Sequence, residues 1–216
     1  MSKKRNPTIE ELQAGESFEL AAEVDHQEIK NFVIRQMTTD QKIIRLYMVY
    51  QLAMVFVGLF FSTRAVVLAI RGAWSPLFYS FGALVFSFTL LIAVHELLHG
   101  IALKMAGAPK ISFGGSLKKF IFYAEADRHV LNRKQFSLVA LAPLVVVQVV
   151  TVAGILLMPE QPVTYGWIFI MSAHSLFCAG DIGLLSFFCA DPGSEVFTFD
   201  VKKEKKSYFY KRVVHE

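Results

Sequence analysis

His95-Glu96-Leu97-Leu98-His99 sets two imidazoles four residues apart, with a carboxylate directly after the first. On an α-helix, residues i and i+4 share one face, so both rings can reach a single metal ion. Glu96 beside them can act as general base toward a metal-activated water. This is the H-E-x-x-H zinc signature, and it predicts Zn2+ held by His95 and His99. It lies near the end of a long apolar run, residues 77–103. Ionisable side chains are costly in lipid, so three of them there mark function.

The elements that must position these groups follow from composition. Of 216 residues, 54% are hydrophobic and 20 are Phe, which points to a multi-span membrane protein. A hydrocarbon core of ~30 Å takes about 20 helical residues. Four segments qualify: 43–63, with a continuation to 70 left open, then 77–103, 136–158 and 165–188. Backbone in lipid must satisfy its own hydrogen bonds, so each is read as a helix. The expected fold is an all-α membrane protein of about four transmembrane helices. Residues 1–42 form a cytoplasmic N-terminal segment, 43–188 the transmembrane metalloprotease-like domain and 189–216 a cytoplasmic C-terminal tail. Thr39 or Asp40 would cap the first span. Arg64 would snorkel to the interface, where Trp74, Tyr165 and Trp167 would anchor.

Positive charge gives the orientation. The piece through Arg45 carries seven Lys and Arg, residues 104–134 seven, and the C-terminal tail six. The two alternate links carry two and none. Both termini and the middle loop are therefore expected in the cytoplasm, with the chain in a prokaryotic plasma membrane. The charged tails read as topology signals, and no nucleic-acid partner is expected. No signal peptide is visible, and Cys178 and Cys189 do not suggest a disulfide framework.

Depth suggests the rest of the metal site. His95 and His99 lie four to eight residues from the inner end of the second span, and Asp181 lies seven residues before the end of the fourth. At ~1.5 Å per residue all three reach about one depth, leaving an open fourth position for water. His174 is the rival third ligand, but two turns set it ~10 Å deeper unless the helix breaks. Glu125, Asp127 and His129 in the middle loop are further alternatives. Pro143 in the third span frees the carbonyl of Val139, which could open backbone toward a substrate or simply kink the helix. Residues 111–123 read as a β-hairpin around Gly114-Gly115-Ser116, whose edge could take an extended peptide substrate.

The chain resembles membrane proteins described as putative zincin peptidases and, more distantly, site-2 protease-type intramembrane metalloproteases. The resemblance rests on His95-Glu96-Leu97-Leu98-His99-Gly100, on Gln135-Phe136 leading to Leu141-Ala142-Pro143, and on Ala179-Gly180-Asp181-Ile182. It implies zinc on His95, His99 and Asp181, with Glu96 as catalytic base. Site-2 proteases typically carry Asn three residues before the third-span proline and Gly after the ligand Asp. Here those positions are Ala140 and Ile182, which leaves the substrate-holding role of that Asn unassigned, with Gln148 the nearest amide. The expected activity is zinc-dependent hydrolysis of peptide bonds in or near the membrane, acting on a membrane protein or peptide within the lipid bilayer. The alternative is a metal transporter or sensor using the same histidines without hydrolysis.

Overall fold

The computed structural model describes residues 5–39, 41–116, 121–191 and 193–213. The chain begins with α1 (Ile9–Gln13), β1 (Phe18–Asp25) and α2 (Ile29–Met37). It continues through α3 (Lys42–Ile70), α4 (Ser75–Ser87) and α5 (Leu90–Met105), then β2 (Ser112–Ser116), β3 (Ile121–Glu125) and β4 (Leu131–Asn132). It ends with α6 (Arg133–Leu157), α7 (Thr164–Phe177), α8 (Ala179–Cys189), β5 (Val196–Val201) and β6 (Lys206–Arg212).

Helices dominate. Two of them, α3 and α6, are long and apolar enough to cross a bilayer alone, and the number rises to four if each of two bent helix pairs counts as one span. On α3, Leu46, Val49, Leu52 and Phe56 are exposed, as side chains facing lipid would be. Asn132 and Gln135 form a reciprocal capping box that starts α6. The expected cap of α3 is different: the Thr39 hydroxyl donates to Gln36 O, and the N-cap is Gln41. Asp40 lies outside the described residues. Arg64 stands over the ring of Tyr165, and the Trp167 indole nitrogen is buried.

The second and fourth apolar segments are not the continuous helices expected from their length. The second divides into α4 and α5 with a 50° bend, and the fourth into α7 and α8 with a 45° bend. At the first break Thr89 leaves helical geometry (φ −126°, ψ −89°), and its hydroxyl donates to Val85 O at 2.7 Å. That side-chain bond competes with the backbone ladder. At the second, Cys178 closes α7 and its carbonyl starts α8 by accepting from Ile182 N.

Segments read from sequence as polar ends pair with each other instead. A four-stranded antiparallel sheet runs in the order β1-β6-β5-β4, with Phe18 opposite Arg212 and Asp25 opposite Lys206. Phe32 of α2, Phe188 of α8, Val24, Val196 and Phe209 form a buried cluster joining this sheet to the helices. Phe188 also stacks on Phe136 of α6, with ring centroids 4.4 Å apart. A polar knot adds to the union: Asn6 Nδ2 donates to Val130 O and to Gln135 Oε1, while Gln135 Nε2 donates to Ala106 O at the end of α5.

A hairpin is present as β2 and β3, but Gly114-Gly115-Ser116 is not its turn as expected: these residues continue β2, with Gly114 opposite Tyr123 and Ser116 opposite Ile121. Residues 117–120, between the two strands, lie outside the described residues. The hairpin packs on α5 at Gly100, where a Cβ would stand 2.7 Å from Phe113 Cζ. Only glycine lets the ring settle on the helix directly after the second histidine.

Candidate metal centre

Helical spacing puts His95 and His99 on the same buried face of α5, with their Nε2 atoms 3.0 Å apart. The bend at Cys178 turns the first turn of α8 toward them. Asp181 Oδ2 then lies 3.3 Å from His95 Nε2, and Asp181 Oδ1 lies 3.2 Å from His99 Nε2. Ligands bound to zinc at about 2.0–2.1 Å and tetrahedral angles stand roughly 3.3 Å from one another, so the spacing suits such an ion.

The far sides of both rings are also engaged. His99 Nδ1 lies 2.9 Å from Val139 O, and His95 Nδ1 lies 3.1 Å from His174 Nε2. A carbonyl only accepts, so His99 donates from Nδ1, and the neutral ring presents a lone pair at Nε2. That lone pair points at a carboxylate, which also only accepts. Asp181 Oδ2 is buried with no hydrogen-bond donor. Two imidazoles and one buried carboxylate converging at these distances are a donor set that suits zinc. His95, His99 and Asp181 could therefore hold the ion.

His174 is nearer than helix depth alone predicts, because the break at Cys178 ends the continuous helix assumed in that argument. It is completely buried. One ring nitrogen faces His95 and the other lies 3.7 Å from Cys178 Sγ. His95, His174 and Cys178 also lie close enough together to form a second cluster of ligand types. Within it, His174 stands between its two partners and supports His95 from behind. Of the loop alternatives, Glu125 accepts from Ser112 Oγ and pairs with Lys202 at 3.2 Å, and Asp127 accepts from Lys202 N. His129 lines the same cavity as the site, with its Nε2 buried and unpartnered among the described residues, outside the cluster of His95, His99 and Asp181. Gln148 donates to Met171 O and so braces α6 against α7.

Glu96 is half-buried beside the histidines, and its Oε2 has no hydrogen-bond partner. Ala124 on β3 lines the same cavity as Glu96. Among the described residues β3 has a strand on one side only, β2. A cavity of about 730 Å³ is lined by His95, Glu96, His99 and Asp181, and also by His26 and Asp200 from the sheet region. Its floor was not legible in the sequence, because the strands that supply it were read as tails.

The family model described as "Putative zincin peptidase" matches residues 88–195, which is half of the 216-residue chain. The match starts at the break before α5 and ends before β5, so it contains all four groups at the centre of the site. No curated protein and no solved structure matches the chain. The chain belongs to the putative zincin peptidase family.

Proposed function

We propose that the chain is a zinc-dependent, membrane-embedded peptidase that hydrolyses peptide bonds in or near the bilayer. The observation that carries this reading is the convergence of His95 Nε2, His99 Nε2 and the Asp181 carboxylate, with Glu96 on the same cavity. His95, His99 and Asp181 hold the ion. Zinc, when bound, polarises a carbonyl and acidifies water toward a pKa of about 7.

Glu96 takes the proton from water as its oxygen adds to the scissile carbonyl carbon. The same carboxyl returns the proton to the nitrogen as the C–N bond breaks. The free edge of β3 offers backbone hydrogen bonds to an extended substrate next to Glu96. The exposed apolar side chains of α3 and α6 support a place in the bilayer, which we take to be a prokaryotic plasma membrane, and the charge pattern supports a site that faces the cytoplasm with both termini on that side. The distant likeness to site-2 proteases fits this placement. The substrate is a membrane protein or peptide.

Glu96→Gln tests the reading. Purified variant in detergent should keep stoichiometric zinc and lose about 10²–10⁴-fold of its hydrolysis of quenched fluorescent peptides. Full retention of function in Glu96→Gln, with loss in the histidine variants, would favour metal transport or sensing instead.

A further inference from the structure

The 45° break between α7 and α8 takes the last carbonyls of α7 away from the amides that a continuous helix would supply. In such a helix the Ser175 carbonyl would accept from the amide of residue 179. Here its donor is the Tyr47 hydroxyl of α3, in a buried contact. A bare carbonyl is costly, most of all where water is scarce, so this bond stabilises the broken form over the straight one. One turn further along α3, Gln51 Nε2 donates to Ser175 Oγ at 3.1 Å, and Ser175 Oγ donates to Ser172 O at 2.6 Å. Those bonds engage the serine side chain and not the carbonyl at the break. The Tyr47 ring is itself buried and shares a cluster with Ile44 and Ile182. Ile182 follows Asp181 directly in α8. One side chain therefore holds both sides of the break, the hydroxyl at the end of α7 and the ring at the first turn of α8. Packing alone would be served by phenylalanine, which this chain uses 20 times against 7 for tyrosine.

We infer that Tyr47 is a positioning residue for Asp181. By capping the Ser175 carbonyl it fixes the angle at which α8 leaves α7. That angle sets the approach of the Asp181 carboxylate to His95 and His99. Without the hydroxyl, the Ser175 carbonyl recruits the amide of residue 179 and the helix pair straightens. The first turn of α8 then carries Asp181 away from the two rings. The consequence for zinc rests on the peptidase reading above, but the capping of the break does not.

The test uses the whole chain in detergent micelles and compares wild type, Tyr47→Phe and Gln51→Met. Each variant loses one hydrogen bond to Ser175 and keeps a side chain of similar size, but only Tyr47→Phe uncaps the carbonyl. Nitroxide labels at Gln161→Cys and Ala190→Cys, both exposed positions, in a Cys189→Ser background report the end-to-end distance of the α7–α8 pair by pulsed electron paramagnetic resonance. Metal-free wild type should give one narrow distance. Tyr47→Phe should shift it to longer values, because a straighter pair is longer, and zinc affinity in chelator competition should fall by about 10–100-fold. Gln51→Met should match wild type in both. The inference falls if Tyr47→Phe leaves either the distance or the zinc affinity at the wild-type value, or if Gln51→Met changes both as much. If Tyr47→Phe does not fold, the wild-type distance alone decides, and a broad distribution reaching the straight form would overturn the inference. Absence of zinc binding by wild type would remove the peptidase reading, and the metal-free distances would still decide this one.

Discussion

Gly183 lies against Val33 so closely that a Cβ on the glycine would stand 2.7 Å from Val33 Cγ1. The contact seats α8 on α2, and α8 carries Asp181 two residues earlier. Gly183→Ala should therefore overpack this seat, with a cost of about 1–3 kcal/mol in chemical denaturation and weaker zinc binding. Adding Val33→Ala should restore most of both losses. Additive effects of the two changes would show that the contact does not couple them.

Removal of Asp181 and of His174 should have unequal consequences. On the proposed assignment Asp181→Ala deletes a direct ligand and should abolish stoichiometric zinc. His174→Ala removes only the partner of His95 Nδ1, so zinc should remain with about 10–100-fold lower affinity. Elemental analysis and chelator competition separate the two. Loss of zinc in His174→Ala with retention in Asp181→Ala would reverse the ligand assignment.

The hairpin offers an independent check on substrate binding. Gly100→Val would drive a side chain into Phe113 and move β2 and β3 off α5. Zinc content should persist, while KM for peptide substrates rises more than kcat falls. A fall confined to kcat would argue against strand addition at β3.

Asp200 in the sheet gives a pH-dependent prediction. Burial pushes its carboxyl above the usual carboxylate range, against the weaker opposing effects of the Ser207 hydroxyl and His26. A raised folded-state pKa contributes stability below the unfolded value of about 3.9 and loses it as pH rises through the folded value. Asp200→Asn keeps an acceptor for Ser207 and has no charge to bury. Its stability advantage over wild type should therefore grow as pH rises from below ~4 toward neutrality. An advantage independent of pH would contradict this account.

The centre was legible in the sequence to the extent that it is local. His95, Glu96 and His99 are fixed by one helical turn, and that geometry needs no partner. Asp181 was reachable because residues on separate apolar segments can be compared by depth. The approach of His174 to His95 was not, because it depends on a helix break that hydropathy does not register. Pro143 announced a free Val139 carbonyl, but only the packing of α5 on α6 shows which group takes it. The sheet was missed for a related reason. Phe197 and Phe199 alternate with polar neighbours in β5, yet the short run borders charged residues and resembles a solvated tail. Its longest partner set joins β1 to β6 across the whole helical region, and such distant pairing leaves little trace in local periodicity.

The pairing of Phe18 with Arg212 makes the intervening chain a closed circuit with a noncovalent clasp. Every helix from α2 to α8 lies within that circuit. One cut in the connection between α6 and α7 would open the covalent path without releasing either half. The two pieces would remain joined through β1 and β6, with His95 and His99 on one and Asp181 on the other. The candidate metal centre is thus shared between fragments that could be made separately and reassembled, and on the proposed function zinc binding would signal that the clasp has closed.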